Sequence, residues 1–241
     1  MHSVAESTIC ARVPHAWDLS PKEAVQLQES LRHMVVCEKR VGAVHTVAGI
    51  DISTAGGQAH AAVAVLHFPE LELLETSQAT LPLTFPYIPG LLSFREGPAI
   101  LQAMAGLRCQ PDLLIFDGQG LAHPRRMGLA SHLGVVLDRP SIGCAKSRLC
   151  GEHAPVGEQV GDWQPLQDKG EVIGAVLRTR QGVKPVYVSI GHRVDLQLAM
   201  QSVLSCTMGY RLPEPIRCAH QLAGGASAEM LYRKHARRRT G

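Results

Sequence analysis

Apolar and polar positions along the 241-residue chain change period several times, and each change marks an element. Ser20 with Glu23 three residues on forms a capping box and Pro21 suits a first helical position. Leu27, Leu31, Met34 and Val35 recur on one face, which predicts a helix running to Arg40. Thr46 to Ser53 reads as a strand, Gly56-Gly57 as a turn, and Ala61 to Phe68 as a second strand. Leu71 to Thr80 alternates as a third, so the fold is expected to begin with three antiparallel strands. Residues 82–90 hold three prolines, which forbid a regular element and stiffen the loop. A helix follows from Leu91 to about Leu107, with Pro98 in its first turns, and then a buried strand from Asp112 to Asp117. A helix ending near Leu137 and a short strand at Ser141–Cys144 come next, and this alternation implies a parallel part of the sheet. Residues 148–169 read as irregular, Glu171–Thr179 and Val183–Ile190 as a hairpin, Val194–Cys206 as a helix, and the tail from Arg233 as strongly basic.

Composition narrows the class. Hydrophobic residues at 45% and charged residues at 19% suffice for a core and exclude extended disorder. The longest uninterrupted apolar stretch, Ala61 to Leu66, falls far below the roughly 20 residues a membrane helix needs, and no signal pattern opens the chain. A soluble cytoplasmic protein without a membrane partner is expected. A net charge of +3 permits nucleic-acid binding without arguing for it. Seven cysteines, an odd number without a C-x-x-C pair, read as reduced thiols, mostly in the core. Aromatics are only 4%, which singles out Tyr87 inside the proline-rich loop.

Three acids stand out. Asp51 interrupts an apolar strand, where it either faces solvent or is buried and paired. Asp117 closes the run Leu-Leu-Ile-Phe, at the carboxyl end of a buried strand where open α/β sheets place their sites. Glu96, beside Arg95 near a helix start, reads on its own as complementing the helix dipole. If Asp51 and Asp117 lie on adjacent strands, about 4.8 Å apart, their carboxylates converge and a divalent cation such as Mg²⁺ relieves their repulsion. Spacing alone does not establish that proximity. Gly118 and Gly120 permit close approach, with N–H groups expected to be free for a base or phosphate. Position 123 is His, so no dinucleotide fingerprint exists; no phosphate loop or H-E-x-x-H occurs, and a zinc enzyme is not expected. His132 reads as a packed histidine. Lys146 is expected at a strand end near Asp117, where it is either solvated or holds a phosphate.

Several motifs together resemble the endonuclease V family, the deoxyinosine endonucleases. They are Val-Ala-Gly-Ile-Asp51-Ile-Ser, Pro86-Tyr-Ile-Pro-Gly-Leu-Leu-Ser-Phe-Arg-Glu96, Asp117-Gly-Gln-Gly-Leu-Ala-His-Pro-Arg, Ala-Ser-His-Leu-Gly134, Cys144-Ala-Lys-Ser, Val188-Ser-Ile-Gly-His192-Arg and Pro213-Glu-Pro-Ile-Arg-Cys-Ala-His220. The match spans roughly residues 20–222, within a single domain over 1–241 whose ends, 1–15 and 225–241, are expected to be flexible. The resemblance implies an α/β, ribonuclease H-like mixed sheet flanked by helices. It implies metal ligation by Asp51, Glu96, Asp117 and His220, with Glu96 raised from a helix-dipole acid to a ligand. It implies Mg²⁺-dependent hydrolysis, Mn²⁺ substituting, of the second phosphodiester bond 3′ to inosine, leaving 3′-hydroxyl and 5′-phosphate ends.

By the same resemblance, Pro86, Tyr87, Ile88 and Pro89 form a wedge that fills the gap left by a displaced base, and backbone near Gly90, Leu92, Gly118, Gly120 and Gly143 reads it. Lys146 would assist the electrostatic work, and His123 would contact nucleic acid or water near the metals; His192 could be scaffold. Hypoxanthine presents an acceptor at O6 and a donor at N1, the reverse of adenine, so a few fixed backbone groups suffice for discrimination. The expected partner is single- or double-stranded DNA or RNA containing inosine, bound by a monomer acting in repair. Three other readings compete: a binder of inosine-containing strands without turnover, a structure-specific ribonuclease H-like nuclease, and a phosphohydrolase of small metabolites. The basic tail is read as either a solvated end or a phosphate-binding extension.

Overall fold

The structure, a computed structural model, describes residues 11–239; the expectations for residues 1–10 and 240–241 lie outside them. Among the described residues, eight strands form one mixed sheet: β1 (Thr46–Ala55), β2 (Gln58–His67), β3 (Leu73–Pro82), β4 (Leu113–Phe116), β5 (Ser141–Ala145), β6 (Trp163–Asp168), β7 (Glu171–Leu177) and β8 (Val186–His192). Their spatial order is β3-β2-β1-β4-β5-β8-β7-β6. The first three are antiparallel, β1-β4 and β4-β5 are parallel, and the remaining pairs are antiparallel.

Period-2 alternation divides the strands between two cores. Val47, Leu113 and Ile115 pack into one, with Val203, Ile216 and Leu222 from helices α4 (Leu196–Ser205) and α5 (Glu214–Ala223). Ala48, Ile50, Leu114 and Phe116 pack into the other, with Ile100, Met104 and Leu133 from helices α2 (Leu92–Ala105) and α3 (Leu129–Leu137). Helix α1 (Pro21–Leu31) lies beside α3, and α6 (Ala228–Arg239) lies against the β3 edge. No described helix is long and apolar enough to cross a membrane.

The capping box at Ser20 is present, but α1 stops at Leu31 and tightens into a 3-10 turn, Arg32–Met34, well short of Arg40. Tertiary bonds take over there: Val36 donates its N–H to His192 Nδ1 and accepts from the Arg193 N–H. Met34, expected on the packed face, is exposed. Strand β6 occupies part of the stretch read as irregular; its Pro165 masks it, and as an edge strand it tolerates a residue that cannot donate. Helix α5 was hidden by Pro213 and Pro215, which sit at its start where proline is favoured. The C-terminal stretch read as a flexible end carries α6. Pro98 falls in the second turn of α2, inside the helix.

Candidate active site

The register of β1 and β4 supplies the step that spacing left open. Ile50 pairs with Phe116, so Asp51 and Asp117 follow in the next row of two adjacent parallel strands, and the Asp117 N–H donates to the Ile50 carbonyl. Both belong to the alternation that faces α5: Val47, Gly49 and Asp51 on one strand, Leu113, Ile115 and Asp117 on the other. A Cβ at Gly49 would stand 2.0 Å from the Pro215 carbonyl carbon, so the bare glycine is what lets α5 settle on the sheet. That approach brings His220 Nδ1 to 2.6 Å from Asp51 Oδ2, while Asp51 Oδ1 accepts the Ile52 N–H. Ligand atoms of Asp51, Asp117 and His220 all lie within 4.8 Å of one another.

Asp51 is 8% exposed, a burial a carboxylate tolerates only with partners. Burial and the charge of Asp51 raise the pKa of Asp117; Lys146, whose Nζ is 2.5 Å from Asp117 Oδ2, and His220 oppose the rise. Glu96 reaches the same cavity from α2 on the other side of the sheet but lies outside the close triad. Its pKa is pushed up to about 7 by burial and the charge of Asp51, with Arg95 opposing and Asp117 adding. Crowded carboxylates with a neighbouring imidazole fit a hard divalent cation, whose charge would relieve the repulsion that raises these values.

The cavity beside the triad measures about 420 Å³ and is lined by Tyr87, Gly90, Leu92, Glu96, Gly118 and Lys146 among others. Tyr87 is 70% exposed at its rim. Pro89 lines it; Ile88 instead packs against the cluster of Phe85, Leu91 and Phe94, anchoring the loop, and Pro86 is exposed outside the lining. Two expectations need correction. Gly120 and Gly143 are buried behind the cavity, since a Cβ on Gly120 would meet the Ile190 carbonyl oxygen at 2.0 Å and one on Gly143 would meet Gly120 N at 2.4 Å. The Gly120 N–H is also not free, as it donates to Ser189 Oγ, and the Gly118 N–H points to the Phe116 carbonyl. These glycines serve close packing.

His123 stands in the cavity wall with Nε2 3.0 Å from the Gly90 carbonyl oxygen, and burial, with the charge of Arg125 adding, lowers its pKa to about 4. Its Nδ1 accepts the Arg125 N–H, which leaves the proton on Nε2. Gln28 and Arg125 bind the same Gly90 carbonyl. Arg125 stands out in the sequence only as the last residue of the Asp117 motif and Gln28 not at all, although a glutamine between Ala24 and Leu31 on the buried face of α1 was a usable signal. His192 is scaffold, holding Val36 and facing Asp138. On the other side of the triad a groove of about 530 Å³ is lined by Lys146, Arg180, Arg211, Arg217, His220 and Lys234, with Tyr210. Arg180 is not distinguished in the sequence, and Lys234 stands out there only as part of the basic tail, because their convergence depends on separate loops and helices.

A mixed sheet in this order, with paired aspartates at the strand ends and a cationic groove beside them, defines a ribonuclease H-like nuclease. The endonuclease V family model matches residues 29–221. An endonuclease V from Nostoc sp. is 54% identical over 213 residues, covering 87% of this chain and 96% of that protein. The crystal structure of the endonuclease V from Streptomyces avermitilis superposes with a TM-score of 0.84 at 39% identity, over 92% of this chain and 99% of that one. The Ciona intestinalis endonuclease V, crystallised with a 24mer DNA containing an inosine followed by a ribo-adenosine, superposes with a TM-score of 0.75 at 29% identity, over 84% of this chain and 95% of that one. The chain belongs to the endonuclease V family and is an endonuclease.

Proposed function

We propose that this enzyme hydrolyses the second phosphodiester bond 3′ to inosine in a DNA or RNA strand, with Mg²⁺ as its ion and Mn²⁺ able to substitute, leaving 3′-hydroxyl and 5′-phosphate ends. The observation that carries the reading is the position of the Asp51, Asp117 and His220 triad between an open-mouthed cavity with an aromatic rim and a cationic groove. A base turned into the cavity leaves its 3′ phosphates running over the triad toward Arg180 and Lys234.

Each residue then has a role. Asp51 and Asp117 would hold the ion, with His220 and Glu96 completing the site directly or through water; when bound, the ion supplies charge against the phosphate and activates water. Lys146, on Asp117, steadies the carboxylate and faces the developing phosphate charge. Tyr87 fills the gap left by the displaced base, and the backbone at Gly90 and Leu92 reads its edge, with Gly118 forming part of the cavity wall. His123, neutral by virtue of its lowered pKa, holds Gly90 in place. No disulfide joins the six described cysteines, in keeping with the reducing cytoplasm, where the enzyme would act as a monomer.

The test is gel-resolved cleavage of end-labelled DNA and RNA strands carrying inosine, adenosine or guanosine at one position, with Mg²⁺ or EDTA. A metal-dependent cut one nucleotide beyond the bond next to inosine is expected, with none at adenosine. Selective binding without cutting would leave an inosine reader, and cutting independent of the base would leave a structure-specific nuclease.

A further inference from the structure

Helix α5 carries ligating side chains on two faces. His220 turns to Asp51, whereas Glu214 and Cys218, one turn apart, turn to α6 and meet His235. These three are buried, at 0%, 0% and 8% exposure. His235 Nε2 lies 3.3 Å from Cys218 Sγ and 3.6 Å from Glu214 Oε1, and all three ligand atoms fall within 4.8 Å of one another. Around a tetrahedral Zn²⁺, with Zn–S of about 2.3 Å and Zn–N or Zn–O of about 2.0 Å, neighbouring ligand atoms stand roughly 3.3 to 3.6 Å apart. The two observed spacings come within about 0.3 Å of that shell, and 3.6 Å is longer than a good hydrogen bond from imidazole to carboxylate.

The Glu214 carboxylate is divided to suit such a site. Oε2 takes Arg217 Nη1 at 2.6 Å, and Oε1 faces His235. We propose that Glu214, Cys218 and His235 bind one zinc-class divalent ion, borderline-soft and tetrahedral, with water as the fourth ligand. Binding releases the Cys218 thiol proton to solvent, so thiolate and carboxylate balance the two positive charges while His235 stays neutral. Thiolate and imidazole favour Zn²⁺ over Mg²⁺, whereas the carboxylate-rich triad across the helix favours Mg²⁺. The two sites therefore divide metals by hardness. The ion pins α6 to α5, and α6 carries Lys234 into the cationic groove.

The experiment uses full-length protein freed of metal by a chelator and titrated with Co²⁺, whose bond to thiolate gives a charge-transfer band in the near ultraviolet. One equivalent should raise the band, one equivalent of Zn²⁺ should abolish it, and excess Mg²⁺ should leave it unchanged. Asp51→Ala should keep the band, and Cys218→Ser should lose it. His235→Gln, at an α6 position away from the central core, should lose the band at stoichiometric Co²⁺ even where Cys218→Ser proves unstable. Wild-type protein that is folded by circular dichroism and gives no band at stoichiometric Co²⁺ overturns the proposal. A band that survives in folded Cys218→Ser or His235→Gln overturns it too, by placing the ion on other residues.

Discussion

The side-chain amide of Gln28 donates to the carbonyl oxygens of Gly90 and Met127, each at 3.0 Å, tying α1 to the end of the proline-rich loop and to the approach to α3. The Gly90 oxygen also receives His123 Nε2 at 3.0 Å and Arg125 Nη2 at 2.7 Å, and Arg125 Nε in turn donates to Gln28 Oε1 at 2.6 Å. Gly90 itself has φ +81°, where a side chain would be strained and would press on Arg125. Three donors on one carbonyl thus set the angle at which Tyr87 leaves the scaffold.

Replacing Gln28 by Leu removes this clamp without touching the carboxylates and leaves Arg125 Nε without that acceptor. A loss of about 1–3 kcal/mol of stability is expected, read from urea unfolding, together with a raised KM for inosine strands at nearly unchanged kcat. A fall in kcat alone would show that Gln28 acts on the chemistry and not on the loop.

Gly49→Ala places a methyl group against the Pro215 backbone, which cannot move as a flexible side chain would. Overpacking should cost roughly 1–3 kcal/mol and lift His220 from Asp51, so cleavage should fall although residue 49 touches no substrate. Wild-type activity in a stable Gly49→Ala protein would dissociate helix placement from the active site.

Tyr87 is exposed and contributes little to the core, so Tyr87→Ala should leave the urea midpoint unchanged. Affinity for an inosine strand, measured by fluorescence anisotropy in Ca²⁺, should weaken by about 1–3 kcal/mol, the worth of one stacked base. Equal affinities would remove the wedge role.

Arg180 and Lys234 line the groove beside the triad. Changing both to Ala should weaken binding to inosine and control strands alike and reduce the slope of log K against log salt by about 0.7 to 0.9 per lost phosphate contact. A slope identical to wild type would route the strand elsewhere.

Two buried histidines make stability depend on pH. Burial, with the His15 and His123 charges adding, lowers the pKa of His132 to about 3, and His123 falls to about 4, against an ordinary value of 6.5. His132 shares an Nε2 to Nε2 contact of 2.8 Å with His15, a pairing that needs one donor and one acceptor and hence at least one neutral ring. The unfolded chain takes up these protons first, so their contribution is complete above about pH 6.5 and is lost as pH falls toward 4 and then 3. Each histidine contributes a slope of up to about 1.4 kcal/mol per pH unit in that window. Urea midpoints compared at pH 7 and pH 5 should show the decline, and His132→Gln should flatten it whatever its own stability.

Local pattern carried much of this fold. The capping box of α1, the three opening strands, the buried run ending at Asp117 and the hairpin of β7 and β8 are written in short-range periodicity. Elements whose existence depends on partners were less legible. Strand β6 holds a proline that only an edge position accommodates, and α1 ends where His192 and Arg193 bond the chain at Val36. The free N–H groups expected at Gly118 and Gly120 were a misreading of the same kind, since a glycine that lets a ligand approach and one that lets a strand approach look alike in sequence.

The sequence by itself determined the residue types of the site and its family, because Asp51, Glu96, Asp117, Lys146 and His220 sit in long ordered motifs. Tertiary structure decided which of them meet. Asp51 and Asp117 converge through the β1-β4 register, His220 joins them because Gly49 lacks a side chain, and Glu96 faces the cavity from across the sheet. It also decided that Gln28, Arg180 and His235 matter, residues unremarkable in the chain that acquire roles from what packs against them. Side-chain chemistry is local and therefore readable, whereas distance between residues far apart in the chain is set by the summed packing of the whole molecule.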